Sequence, residues 1–232
     1  MRGLNMNYNE LGDKLIDLLE LERTPVAINW SVEEPKDIQK EEGKSTFCAK
    51  LNKALNGEIF YATSEEEMCM GGAIFTGHQD KCEFPPQMLT LGFLVQMGAY
   101  DSIPTAQRSW KHNINLEPEI FKAISFAPLD KAEFEPDVVF IVCNAKQGME
   151  ILHANTYDSG EHGIGADSGP ICSSMAATPY ITGKITYGFG EAGARQNMDI
   201  KPEEVMVSIP GNDLSRIVSN LEKMRTGVFL KR

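Results

Sequence analysis

The chain has 232 residues and a mass of 25.7 kDa, which is enough to bury a self-sufficient core as one large domain or two small ones. Its formal net charge of -11 and pI near 4.9 argue against nucleic-acid binding, because a phosphate-neutralising surface needs clustered Lys and Arg. No apolar segment approaches the ~20 residues that cross a bilayer, and the N-terminus lacks the apolar core and cleavage site of a secretion signal. We therefore expect a cytoplasmic protein without a membrane segment.

Helices and short strands alternate from the start of the chain. Leucines at three- and four-residue intervals predict an amphipathic helix over residues 9–22, and an apolar strand follows at 26–30. Helical spacing resumes over residues 47–55, where Gly57 suits the positive φ that often ends a helix. Residues 58–63 then alternate as a strand does.

The next segment combines a helix cap, a cysteine and a glycine pair. Ser64 and Glu67 match the capping-box pattern, which predicts a helix starting at residue 65 that carries Cys69 in its second turn. Gly71 and Gly72 each cost about 1 kcal/mol of helix stability relative to Ala. A close backbone contact or a bound ligand would offset this cost, so both glycines are candidate cofactor-binding positions.

The rest of the chain continues the alternation. Residues 88–95 and 116–123 are predicted helices, and the β-branched run at 137–143 is typical of a central strand. The remaining predicted elements are a helix at 145–154, strands at 183–190 and 204–209, and a last helix capped by Asn212 or Asp213.

These elements predict an α/β or α+β fold in which helices flank a mixed sheet. We expect a single domain over residues 1–232. A strand, a helix and a cysteine among small residues occur in this order twice, which favours an alternative division into pseudo-duplicated halves, 1–130 and 131–232. In that case the two small-residue segments would face each other, although αβ units also resemble one another without duplication.

Five cysteines, an odd number, fit a reducing compartment in which thiols are ligands, nucleophiles or core filler. Cys143 ends an apolar strand and is expected to fill the core. Soft thiolate ligands select zinc or iron–sulfur clusters. The chain has no CxxC pair, so the spacing alone does not define a metal site. The four candidate ligands lie in loops or at predicted helix starts: Cys48, Cys69, Cys82 and Cys172.

Two other kinds of site remain open. Cys172 could act as a nucleophile, for which the four histidines are candidate bases and His162 is nearest in sequence. Arg195 follows the glycine-rich GFGEAG loop and could clamp the carboxylate or phosphate of a small metabolite, whereas a structural salt bridge is the simpler use. The same loop fits GxGxxG, but it leaves little room for a dinucleotide-binding helix.

Several motifs together resemble a known family. They are Pro25-Val26-Ala27 after a leucine-rich helix, Thr46-Phe47-Cys48, MCMGGA around Cys69, the Cys172 segment, GEAGAR ending at Arg195, and Pro202-Glu203-Glu204. With these motifs the chain resembles ArCR, an uncharacterised archaeal and bacterial family. The resemblance implies that Cys48, Cys69 and Cys172 belong to the family pattern. It also implies an anaerobic cytoplasm, as in methane-producing archaea, which suits oxygen-labile clusters.

The leading hypothesis is a redox or cofactor-handling protein that binds an iron–sulfur cluster through Cys48, Cys69 and Cys172. Cys82 would be the fourth ligand, zinc is the alternative metal, and a redox partner is implied. The rival is a metal-free module in which the glycine-rich segments and Arg195 enclose a small anionic metabolite. A second rival is an enzyme that depends on Cys172. The sequence indicates no reaction, substrate or oligomeric state.

Overall fold

A seven-stranded mixed sheet forms the centre of the part that the structure, a computed structural model, describes: residues 7–80 and 86–227. The strands are β1 (Val26–Ser31), β2 (Phe60–Ala62), β3 (Ala123–Pro128), β4 (Val138–Asn144), β5 (Ile164–Ala166), β6 (Thr186–Gly188) and β7 (Glu204–Pro210). Their order is β2-β3-β1-β4-β7-β6-β5, and every neighbouring pair is antiparallel except β5 and β6. The predicted α/β class with a mixed sheet is confirmed.

Nine α-helices within the described ranges flank this sheet. They are α1 (Tyr8–Leu19), α2 (Phe47–Leu55), α3 (Met70–Phe75), α4 (Pro86–Gln96), α5 (Ile103–His112), α6 (Ala145–Ser159), α7 (Thr178–Thr182), α8 (Ala192–Asn197) and α9 (Leu214–Arg225). A π-helical segment, Cys172–Ala177, leads directly into α7. Across the described helices, none combines the length and the apolar character that a membrane crossing requires.

The sheet separates two apolar cores, because successive side chains of a strand point to opposite faces. Phe140 and Val142 of β4 lie in the core covered by α2, α3, α4, α5 and the π-helical segment, and we call this side the α2 face. Ile141 and Cys143 lie in the core under α1, α6 and α9, which we call the α1 face. Cys143 is 3% exposed and fills the core as expected. Burial raises the pKa of its thiol to about 12.

Local capping sets where the main helices begin. The Thr46 hydroxyl accepts a hydrogen bond from the Ala49 amide at 3.2 Å and starts α2 at the predicted residue. Asn144 and Gln147 form a reciprocal capping box at the start of α6. Gly57 has φ +101°, as expected after a helix C-terminus.

The region between α5 and β4 differs from the sequence-based expectation. The predicted helix over 116–123 is wrong: residues 114–122 contain no helix, and β3 begins at Ala123. All six residues of β3 are buried between β1 and β2. A strand buried on both faces loses the alternation of apolar and polar residues that identifies strands from sequence.

The two parts of the chain form different halves of the sheet, next to each other in the strand order. Strands β1 to β3 form one half and β4 to β7 the other, and the antiparallel pairing of β1 with β4 joins the halves into one sheet. The single domain over 1–232 and the division at residue 130 both stay predictions.

The missed strand generates a test of core packing. Phe126 of β3 is fully buried, and its ring centroid lies 5.7 Å from that of Phe47 and 5.4 Å from that of Phe60. We expect Phe126→Ala to lower the free energy of unfolding by about 3–5 kcal/mol, because it leaves a cavity. Urea denaturation measures this. In the control, Phe93→Ala at a 58% exposed position, the loss should be about 1 kcal/mol or less, and equal losses would contradict the placement of β3.

Candidate functional site

Three cysteines from separate parts of the chain lie together on the α2 face. Cys48 is the second residue of α2, Cys69 immediately precedes α3, and Cys172 begins the π-helical segment. Cys172 belongs to the apolar core of this face, and Cys48 packs against that core. Cys48 and Cys69 both raise the pKa of the Cys172 thiol, and Cys69 also raises that of Cys48, as expected of neighbouring thiols. We call these three residues the cysteine site.

Two carboxylates that the sequence did not single out as site residues lie beside the cysteine site. Glu191 precedes α8, and its Oε2 accepts a hydrogen bond from the Ile171 amide at 3.1 Å. Oε1 of Glu67 accepts one from the Cys69 amide at 2.8 Å. Burial raises the pKa of Glu191 to about 7 and also raises that of Glu67. An acidic residue that closes a glycine-rich turn before a helix was the available signal for Glu191.

The surroundings of the thiols oppose their ionisation. Burial is the largest cause that raises the pKa of all three thiols, and the charges of Glu67 and Glu191 raise it further. Hydrogen bonds from the backbone amides of Gly71 and Gly72 act in the opposite direction at Cys69. Without a cation the thiols are therefore protonated at neutral pH, and a bound cation would shift them toward thiolate.

The glycine pair allows a close approach at the start of α3. A Cβ atom built on Gly72 would lie 2.7 Å from Cδ and Oε1 of Glu67, a distance that real contacts do not show. Gly72 therefore leaves space for the Glu67 carboxylate. Gly71 and Gly72, the predicted cofactor-binding glycines, directly contact the cysteine site through their amides.

The local structure before Cys69 differs from the predicted helix. A 3-10 helix covers Ser64–Glu66, and its capping box joins Thr63 to Glu66, one residue earlier than predicted. Glu67 is extended, with φ -85° and ψ 120°, and α3 begins only at Met70. The expected helix from residue 65 is wrong because the Glu67 side chain turns inward, toward the Cys69 amide and a buried lysine.

That lysine is Lys50 in α2, which is 1% exposed. Its Nζ lies 3.2 Å from Oε2 of Glu67 and 3.5 Å from Oε2 of Glu41, and both carboxylates are buried. Lys53 completes the group with a 2.7 Å ion pair to Oε1 of Glu41. Sequence reasoning missed Lys50, since a lysine in an amphipathic helix normally faces solvent.

Arg195 contacts the backbone around the loop that carries Glu191. Its guanidinium donates hydrogen bonds to the carbonyl oxygens of Phe189 at 2.8 Å, Lys201 at 2.5 Å and Glu204 at 3.2 Å. These bonds connect the start of α8 to β7. The Arg195 guanidinium, which the sequence suggests as a clamp for an anion, is therefore already hydrogen-bonded to the backbone around this loop.

The remaining predicted residues lie elsewhere. Cys82 lies outside the described residues. His162 is exposed on the loop before β5, and it is absent from the groups whose charges act on Cys172. His78 is 9% exposed, and neither ring nitrogen has a hydrogen-bond partner among the described residues.

The three thiols and the other described side chains do not form a complete set of metal ligands. Over residues 7–80 and 86–227, no three His, Cys, Asp or Glu side chains are arranged so that they could hold a metal ion. The cysteine site is therefore a group of neighbouring thiols with two carboxylates, which defines the class: an α/β protein with a cysteine-rich site on one face of its central sheet.

Comparison with known proteins identifies the family. The family model described as "Uncharacterised ArCR" (DUF169) matches residues 14–220, and the chain belongs to this family. "Uncharacterized protein MJ0308" of Methanocaldococcus jannaschii is similar, with 29% identity over 230 residues that cover 95% of this chain and 97% of the relative. No solved structure matches. The matched range contains the whole cysteine site.

His78 supplies a pH-dependent prediction for this region. Burial lowers its pKa from 6.5 to about 4, so the unfolded chain gains a proton below pH 6.5 that the folded chain does not. The resulting loss of stability grows as pH falls from 6.5 to 4 and reaches about 3 kcal/mol. We expect His78→Leu to remove this loss, as measured by urea denaturation at pH 7 and pH 4.5.

The control for this prediction is His162→Leu at an exposed position. It should retain the pH dependence of the wild type. A His78→Leu protein whose stability falls with pH as steeply as that of the wild type would contradict a buried, neutral His78.

Proposed function

We propose that this protein is a redox or cofactor-handling protein that binds an iron–sulfur cluster through Cys48, Cys69 and Cys172, with Cys82 as the fourth ligand. One observation carries the proposal. Three cysteines that are far apart in the sequence lie on the α2 face, in α2, just before α3 and at the start of the π-helical segment, where the other two thiols raise the pKa of Cys172. Cys143, which the hypothesis assigned to the core, points to the other face of the sheet.

The chemistry of the surroundings supports a cationic, thiophilic occupant. Thiolates are soft ligands that select iron–sulfur clusters, zinc and Cu(I) over hard cations. Glu67 and Glu191 add negative charge next to the three sulfurs, in a setting where burial already disfavours free thiolates. A bound cationic centre would stabilise the thiolates that ligate it.

The arrangement favours a cluster over a single zinc ion. A zinc site requires four donors around one point at about 2.0–2.3 Å, and no such grouping is formed in the described ranges. A cluster is larger than one ion, so its cysteine ligands stand farther apart. We therefore propose the cluster in preference to zinc, and the metal and sulfide analysis below distinguishes the two.

The chain's own groups would hold and tune such a centre. A bound iron–sulfur cluster supplies one-electron transfer, and hydrogen bonds to its sulfur ligands and nearby charge set its reduction potential. The amides of Gly71 and Gly72 are donors to the Cys69 sulfur. The carboxylates of Glu67 and Glu191 would favour the more oxidised, more positive state.

The structure gives less support to the other two functions. Cys172 is buried, its pKa is raised well above the usual value, and the groups that act on it are thiols and carboxylates. This environment is unlike that of an activated thiol, which needs a nearby base or positive charge. For an anionic metabolite, Arg195 would first have to leave its three backbone carbonyls.

Anaerobic purification followed by iron, sulfide and zinc analysis tests the proposal. We expect the wild type to contain iron and acid-labile sulfide and to absorb visible light. Cys48→Ser, Cys69→Ser and Cys172→Ser should each lose most of the iron and sulfide, because each removes a ligand. Cys143→Ala is the matched control and should retain both.

Each other outcome has a defined meaning. Wild-type protein that remains free of iron and colourless after anaerobic reconstitution with iron and sulfide would end the cluster proposal. Tightly bound zinc without sulfide would replace it with the zinc site. Cys82→Ser that keeps a full cluster would remove Cys82 from the ligand set.

A further inference from the structure

We propose that Lys50, acting through Glu67, is a positioning residue that sets where Cys69 presents its sulfur. This inference rests on the proposed function of the cysteine site. Lys50 and Glu67 would touch neither a metal nor a substrate in this role. They would act by fixing the backbone from which one ligand projects.

The contacts of Lys50 leave its ammonium group fully engaged. Its three N–H donors have three partners: the Ser45 carbonyl at 2.6 Å, the Glu66 carbonyl at 2.9 Å and Oε2 of Glu67 at 3.2 Å. The side chain is 2% exposed, so water does not compete for these bonds. Lys50 thus ties α2 to the backbone segment that leads to Cys69.

Glu67 continues the connection to the cysteine site. Its second oxygen, Oε1, accepts the Cys69 amide at 2.8 Å, while the carboxylate group lies against the backbone of Gly72. The Glu67 side chain is also 2% exposed. A single buried carboxylate therefore connects the lysine of α2 with the residue that precedes α3.

The same helix also carries the first thiol. Cys48 and Lys50 are two residues apart in α2, so Lys50 relates the position of Cys69 to the helix that presents Cys48. The spacing between two of the proposed ligands then depends on one buried ion pair. This pair holds one geometry, because a charge-assisted hydrogen bond is directional and an exposed alternative would need both groups to leave the interior.

Stability of the fold alone would not require a buried ion pair between Lys50 and Glu67. Buried ion pairs can often be replaced by apolar residues of similar volume without loss of stability. In this pair, Lys50 also donates to the backbone carbonyls of Ser45 and Glu66. Glu67 also accepts from the backbone amide of Cys69. These backbone partners are explained if the pair serves to fix the position of the backbone at Cys69.

Hydrogen exchange at the Cys69 amide tests the proposal without a bound metal. Glu67→Gln keeps the size of the side chain but leaves one acceptor oxygen for two donors. The buried, charged Lys50 ammonium takes that oxygen because its bond is the stronger one, so the Cys69 amide loses its acceptor. We expect exchange of this amide to become about 10- to 100-fold faster, which corresponds to a lost buried hydrogen bond. Glu65→Gln is the matched control, since it removes the same charge from a side chain that is 79% exposed, and it should leave the exchange rate unchanged.

A spectroscopic readout connects the backbone to the sulfur. With the anaerobically reconstituted iron–sulfur cluster as the probe, the visible thiolate-to-iron absorption bands report the geometry of the thiolate ligands. We expect Glu67→Gln to alter these bands and Glu65→Gln to reproduce the wild-type spectrum. Faster amide exchange with an unchanged cluster spectrum, or unchanged exchange in a folded Glu67→Gln protein, would overturn the positioning role.

Two further measurements keep the outcomes distinguishable. If Glu67→Gln does not fold, the wild type decides: a Cys69 amide that exchanges as fast as in the urea-unfolded chain overturns the proposal, and one about 10-fold slower or more supports it. If the wild type binds no iron–sulfur cluster after anaerobic reconstitution, the proposed function fails. The amide exchange of Glu67→Gln still shows whether Glu67 fixes the Cys69 backbone.

Discussion

The buried ion pair between Lys50 and Glu67 is the interaction on which the geometry of the cysteine site depends. Removing Lys50 would leave the buried Glu67 carboxylate without its cation, and breaking a buried pair in this way typically costs about 3–5 kcal/mol. The chain avoids this cost only while the segment before Cys69 stays folded against α2. Because the two buried charges must stay paired, the backbone before Cys69 is held in one position. This position sets where α3 begins.

The central sheet supplies the second constraint. Its two faces bury different cores, and the short helices with glycine, alanine and serine lie on the α2 face, where backbones approach closely. The longer helices α1, α6 and α9 cover the other face. The cysteines follow this division, since Cys143 faces the long helices and the cysteine site faces the short ones. The match to the ArCR family, over residues 14–220, covers all seven strands and the cysteine site.

The electrostatics of the site join these two constraints. Three thiols and two carboxylates share a buried region, where burial raises the pKa of all five groups and the charges of the two carboxylates raise the pKa of the thiols further. Lys50 partly neutralises Glu67, whereas Glu191 has an amide partner in Ile171. The balance of charge around the thiols therefore remains negative once they ionise, which is the reason for proposing a cationic centre as the occupant.

The sequence by itself determined the class of fold, the apolar run of the central strand β4 and the limits of α2. These features depend on neighbours along the chain, so periodicity, capping and β-branching reveal them. Only the tertiary structure decided that β3 is a strand, that Lys50 is buried and that Glu67 and Glu191 lie beside the thiols. Each of these depends on contacts between residues far apart in the sequence, where the cost of burying a charge or a polar backbone group is met by a partner that no local pattern specifies.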